Sequence, residues 1–171
     1  MKTIKDIATQ LLDERVKLYV KYDTKTAKQY YFMCIFNEDL DFGINLMNED
    51  IEIVIKTLKE TDDYILNRIK EVISDKLGYF EDIFFIYFFL FHEEAHWLEF
   101  LESCMNSKDY CNSIKLNDYN GELAKLSEEI KNNSDNKALI DSYRWRYRST
   151  PYEKRADAYA LEKLVLYLDN K

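Results

Sequence analysis

A single, mainly α-helical domain is what this chain predicts, and three observations carry that expectation. Apolar residues recur at helical spacing through most of the 171 residues, only three Gly and one Pro interrupt them, and the run Ile83 to Phe91 is apolar without a break. A helix apolar on every side is a buried one. The run is too short for a bilayer, which takes about 20 apolar residues, and Glu81 and Asp82 close it on one side. It is therefore expected as the central helix of one compact domain over 1–171.

The other elements follow in order. Ile4, Ile7, Leu11, Leu12 and Val16 share a face and predict a first helix over residues 3–21. Tyr30 to Phe36 reads as a strand, paired with Phe42 to Met47 in one small β-hairpin. Asn48, Glu49 and Asp50 open a helix that carries Ile51, Val54, Ile55 and Leu58 on one face. Residues 62–77 continue helically through Ile65, Ile69 and Ile73, and Gly78 suits the residue that ends such a helix. The central helix is expected over 79–104. Ser107 to Asn120 is polar with little periodicity and predicts a solvated connector. Helices over 121–132 and 137–147 precede the last, at 151–168, which Thr150 caps and Pro151 starts.

The central helix carries the chemistry. The chain's only two histidines fall in His92-Glu93-Glu94-Ala95-His96, the H-E-x-x-H pattern. Positions i and i+4 of a helix share a face, so two neutral imidazoles there can grip one metal ion, zinc by preference. The Glu after the first His can reach a water on that ion. Chance gives this pattern in only about one such arrangement in a thousand. The apolar flank also argues against an idle solvated face, because buried polar groups must be paired or bound to metal.

Catalytic zinc usually has three protein ligands and one open position. Glu99 and Ser103 continue the histidine stripe, but a straight helix cannot wrap three ligands around one ion. Glu99 is expected as a supporting or surface carboxylate, and Cys104, turned about 80° from His96, as core. Downstream, Glu153 and Asp157 stand one turn apart on the final helix, beside the small residues Ala156 and Ala160. Two readings of Glu153 compete. Thr150-x-x-Glu153 is a capping box, in which Glu153 would bond back to the Thr150 backbone. Alternatively Glu153 is the anionic third ligand, with Asp157 holding the tautomer of a ligand histidine.

Taken together, His92-Glu93-x-x-His96 and Glu153-x-x-Ala156-Asp157-x-x-Ala160 resemble the gluzincin zinc metallopeptidases. Within them they are most similar to the small intracellular ImmA/IrrE-type peptidases of bacteria and mobile elements. The resemblance covers about 25 residues and is specific for the clan more than the subfamily. It implies a zincin-like α+β fold, in which a buried H-E-x-x-H helix packs with a C-terminal helix bearing the third ligand. It implies Zn²⁺ held by His92, His96 and Glu153, with Glu93 as general base. Asp157 stands where that subfamily often has Asn and the thermolysin-like branch has Asp. The resemblance also implies a peptide substrate, docked along an edge strand such as the hairpin's, and plausibly a regulatory protein of a phage or mobile element. Many zincins stabilise the oxyanion with another His, which this chain lacks; Tyr147, Arg148, Tyr152 and Tyr159 are the candidates to serve instead.

Composition narrows the partners. A net charge of −8 argues against general nucleic-acid or anionic-membrane binding. An odd set of cysteines, Cys34, Cys104 and Cys111, fits reduced thiols in a cytoplasm. The first residues open an amphipathic pattern in place of an apolar leader, so no signal peptide is expected. Four of the six arginines lie between Arg144 and Arg155, interleaved at first with Tyr143, Trp145 and Tyr147. Such a segment can recognise acidic peptide, grip single-stranded nucleic acid, or simply neutralise the surplus carboxylates. The rival to a peptidase is a catalytically weak zincin-like binding module, an inhibitor or anti-repressor acting by contact. The intact Glu93 favours the enzyme, since a structural metal site has no use for a base there.

Overall fold

The computed structural model describes residues 2–20, 32–35, 43–46, 48–60, 64–117 and 121–170. Among them are eight helices and three short strands: α1 (Ile4–Leu11), β1 (Leu18–Val20), β2 (Phe32–Ile35), β3 (Gly43–Leu46), α2 (Ile51–Glu60), α3 (Tyr64–Leu77), α4 (Ile83–Ser103), α5 (Ser107–Asn117), α6 (Gly121–Asn132), α7 (Lys137–Arg148) and α8 (Pro151–Asp169). The protein is mainly helical. No helix among the described residues is long and apolar enough to cross a membrane.

The central helix is apolar all round because it is covered all round. Phe84, Phe85, Ile86, Phe88, Leu90 and Phe91 of α4 are buried with Ile4 and Ile7 of α1, Val54 and Leu58 of α2, and Ile69 and Ile73 of α3. Ala160 and Leu164 of α8 close the same core. The alanines at 156 and 160 are both buried, and α8 makes the most extensive helix packing with α4. Near the end of α4 a second cluster forms from Trp97, Phe100, Tyr110, Ile114 and Tyr152.

The sheet has the order β1-β3-β2. β2 and β3 pair antiparallel, with Phe32 opposite Leu46 and Ile35 opposite Gly43, which is the hairpin expected between these segments. Tyr30, Tyr31, Phe36, Phe42 and Met47, the outer residues of that expectation, lie outside the described residues. β1 was not foreseen. It lies parallel to β3, Leu18 opposite Ile44, where helical periodicity predicts a first helix running to 21. That helix stops at Leu11 for a tertiary reason: the Asp13 N–H donates to the Glu94 carboxylate of α4 at 2.6 Å instead of continuing the helical ladder. Asp13 then accepts from the Arg15 backbone N–H (2.9 Å), and the Trp97 indole donates to the Arg15 carbonyl (3.0 Å). The chain is held in a turn by α4.

Other boundaries follow local chemistry. Asp50 accepts from the N–H groups of Glu52 and Ile53 and starts α2. Gly78 ends α3 with φ of +79°, the left-handed conformation that glycine adopts without penalty. α4 begins at Ile83, after a turn at Glu81 and Asp82 whose carbonyls accept from Phe84 and Phe85, so Tyr79 to Asp82 precede it. Two expectations are corrected. The polar segment after 106 is a helix, α5, because Asn106 caps the Asp109 N–H (2.9 Å) and Tyr110 and Ile114, four apart, bury against Trp97 and Phe100. Cys104 is not core: it is exposed, at the left-handed residue (φ 55°) that ends α4.

Candidate metal centre

Helical spacing places His92 and His96 on one face of α4, and α8 crosses that face with its first two turns. Thr150 caps α8 through Oγ1, which accepts from the Glu153 N–H at 3.4 Å, and Pro151 takes the first helical position. Only half of the capping box forms. The Thr150 N–H donates instead to the Tyr147 carbonyl (3.0 Å), and the Glu153 carboxylate turns inward to the histidines. The competition between cap and inward donor thus ends with Thr150 as cap and Glu153 in the site.

His92, His96 and Glu153 form a buried group whose donor atoms lie close enough together to hold one metal ion. The two Nε2 atoms are 3.1 Å apart; Glu153 Oε2 lies 3.4 Å from His92 Nε2, and Oε1 lies 3.3 Å from His96 Nε2. Metal–ligand bonds of about 2.0–2.1 Å in a tetrahedron give ligand separations of about 3.3 Å, so the donor set fits zinc in size. It also fits in chemistry. Two imidazole lone pairs and a carboxylate converge in a buried site, and they repel unless a cation or proton lies between them.

The electrostatics point the same way. Burial by itself lowers the His92 pKa, but Asp157 and Glu153 outweigh it and hold it up at about 9. Burial would raise the Glu153 pKa, yet hydrogen bonding and attraction from His92 and His96 hold it well below the ordinary carboxylate range. Both shifts say that the pocket favours a positive charge at His92 and an anion at Glu153.

Neighbouring side chains aim the donors. Asp157 Oδ1 lies 2.9 Å from His92 Nδ1, outside good hydrogen-bond alignment but close enough to favour a proton on that nitrogen. This leaves the Nε2 lone pair for the ion. The Tyr152 ring stacks on His96, centroids 4.0 Å apart and planes within 17°, fixing that ring from the far side. Glu93, between the ligands in sequence and half-buried, lies one position round the helix from His92.

The remaining candidates are dispersed. Arg148, the last residue of α7, enters the site: Nη1 donates to Glu153 Oε2 at 2.7 Å and lies 3.2 Å from His92 Nε2, while Nη2 donates to Asp157 Oδ1. Tyr159 donates its hydroxyl to Glu94 (3.1 Å); burial and then the Glu94 charge raise its pKa. Tyr147 stacks against Tyr143, centroids 6.3 Å apart. Glu99 pairs with Arg155 at 2.8 Å on the surface, and Arg146 pairs with Glu122. Arg146, Arg148 and Arg155 therefore face carboxylates of this same chain, which favours the neutralising reading of that segment.

One structural neighbour of the site carries little signal in the sequence. Glu94, inside the motif, is fully buried and accepts from the Asp13 N–H, the Tyr159 hydroxyl and Lys163 Nζ. Lys163 lies over the Phe91 ring at 4.9 Å. Glu94 thereby joins α4 to α8 and to the turn after α1. The only sequence signal was its position, two residues and about 200° round the helix from His92.

No protein-family model matches the chain, and neither a curated protein nor a solved structure matches it. What the centre can do is therefore read from its own donors.

Proposed function

We infer that this chain is a zinc-dependent peptidase of the gluzincin type, working in the cytoplasm and hydrolysing a peptide bond with Glu93 as general base. The observation that carries this is the buried His92–His96–Glu153 set with donors 3.1–3.4 Å apart. It brings together, from α4 and α8, the two histidines of the H-E-x-x-H pattern and a third, anionic donor. The motif resemblance to ImmA/IrrE-type peptidases supports a protein substrate, for which a regulatory protein of a phage or mobile element is the natural class.

Zinc in this set supplies Lewis acidity toward a carbonyl oxygen and brings the pKa of a bound water toward about 7. The chain's residues do the rest. Glu153 contributes the anionic donor and offsets part of the ion's charge. Asp157 keeps the His92 proton on Nδ1, and Tyr152 keeps the His96 ring in plane. Glu93 takes the proton of the attacking water and returns it to the departing amine nitrogen.

Two measurements test this. Purified protein should carry one zinc per chain, and the double variant His92→Ala, His96→Ala should carry none. Full zinc in the double variant means that the ligands lie elsewhere. Glu93→Gln should keep fold and zinc while losing about 10²–10⁴ in rate, read in cells as new protein termini present with wild type and absent with the variant. A biological effect undiminished in Glu93→Gln would give the role to a binding module acting by contact.

A further inference from the structure

Among the described residues Arg148 is the one cation against the donor set, and its placement is tightly constrained. Its side chain is 16% exposed. Nη1 is tied to Glu153 Oε2 and Nη2 to Asp157 Oδ1, so the guanidinium plane is fixed by two carboxylates on successive turns of α8. Nη1 also lies 3.2 Å from His92 Nε2. That nitrogen's lone pair is the one a metal ion takes. With the lone pair committed, the second N–H of Nη1 sits in a buried place without that acceptor, and buried donors find another. The carbonyl oxygen of a substrate held at this site would supply such an acceptor.

We propose that Arg148 is a catalytic residue: through Nη1 it donates to the scissile carbonyl oxygen as negative charge builds there. The inference rests on the peptidase reading above. As the water oxygen bonds to the carbonyl carbon and Glu93 takes the proton, the C=O π pair moves onto the carbonyl oxygen, which Arg148 holds. When that pair re-forms the double bond, the C–N bond breaks and the proton passes from Glu93 to the amine nitrogen. A fixed, charged donor aimed where charge develops is the arrangement that stabilises such an oxygen best, because it needs no reorganisation during the step. The other three candidates from sequence have their placement set by other partners: Tyr159 donates to Glu94, Tyr152 lies flat on His96, and Tyr147 lies against Tyr143.

The test uses the zinc-loaded full chain and acetohydroxamate, whose carbonyl oxygen imitates the charged substrate oxygen on zinc. Zinc affinity is read by chelator competition and acetohydroxamate affinity by calorimetry, in wild type, Arg148→Met and Arg148→Lys. Arg148→Met should keep one zinc and weaken acetohydroxamate by about tenfold or more, the size expected for one charged hydrogen bond, with Lys recovering part of the loss. Acetohydroxamate affinity within twofold of wild type in zinc-loaded Arg148→Met overturns the proposal. So does a fall in zinc affinity alone, which would make Arg148 a positioning residue for Glu153. If Arg148→Met does not fold, Arg148→Lys decides, a fall of more than about twofold counting for and affinity within about twofold of wild type against. Wild type that takes up no zinc overturns the peptidase reading and this inference together. Zinc-loaded variants with normal acetohydroxamate binding overturn only this one.

Discussion

Glu153 and Glu94 are both carboxylates sealed in the α4–α8 interface, 2% and 0% exposed, and they differ in what answers them. Glu94 meets ordinary donors: a backbone N–H, a tyrosine hydroxyl and the lysine ammonium of Lys163. Its charge and lone pairs are satisfied, and it serves as a strut between three elements. Glu153 meets Arg148 on one side and, on the other, two ring nitrogens that donate only when protonated. In neutral histidines with the proton on Nδ1, the tautomer Asp157 favours at His92, those nitrogens are acceptors facing an acceptor. A buried carboxylate answered by donors holds a fold together. One answered by converging lone pairs calls for a cation.

Removing the charge at each carboxylate separates the two roles. Glu153→Gln should weaken zinc by at least about 100-fold, since even residues that only orient a ligand cost 10–100-fold when changed. A residue acting only as a helix cap would tolerate Gln with little effect, so unchanged zinc affinity would return Glu153 to the capping box. Glu94→Gln should do the reverse: zinc retained, and unfolding free energy lower by about 2–3 kcal/mol in denaturant melts. The figure stands below the roughly 3–5 kcal/mol of a wholly buried broken pair because Lys163 is 29% exposed and can turn to water. Zinc lost from a well-folded Glu94→Gln protein would break the distinction between strut and site.

The sequence displayed the site more clearly than the struts around it. His92 and His96 announce a shared face by their spacing alone, because helical geometry is local. Glu153 was visible but ambiguous: Thr150-x-x-Glu153 is the same string whether Glu153 caps or turns inward, and only the approach of α4 decides. Glu94 left no local trace, since its partners lie 65 to 81 residues away in sequence. The same distance explains the missed end of α1. Residues up to Val16 keep a helical period, yet Asp13 gives its N–H to Glu94, and β1 forms on a parallel partner 26 residues on. For α5 the signal was present in Tyr110 and Ile114, and polar neighbours obscured it. Local patterns fix faces and caps. Where two elements meet, they leave the choice to packing.

A third carboxylate on α4 supplies the smallest effect and the sharpest control. Glu99 continues the His92–His96 stripe on the same helix, where the sequence predicts a supporting or surface carboxylate. Its carboxylate bonds Arg155 of α8 at 2.8 Å, with the two side chains 37% and 51% exposed. Exposed ion pairs contribute about 0–1 kcal/mol, because water screens the attraction and long side chains lose freedom in forming it. Glu99→Gln should therefore shift the unfolding midpoint slightly, by less than about 1 kcal/mol in free energy, and added salt should shrink even that. Zinc affinity should not move. If it falls as far as in Glu153→Gln, the ion is held along α4 and not between α4 and α8. The contrast between strut and site would then have to be redrawn around Glu99.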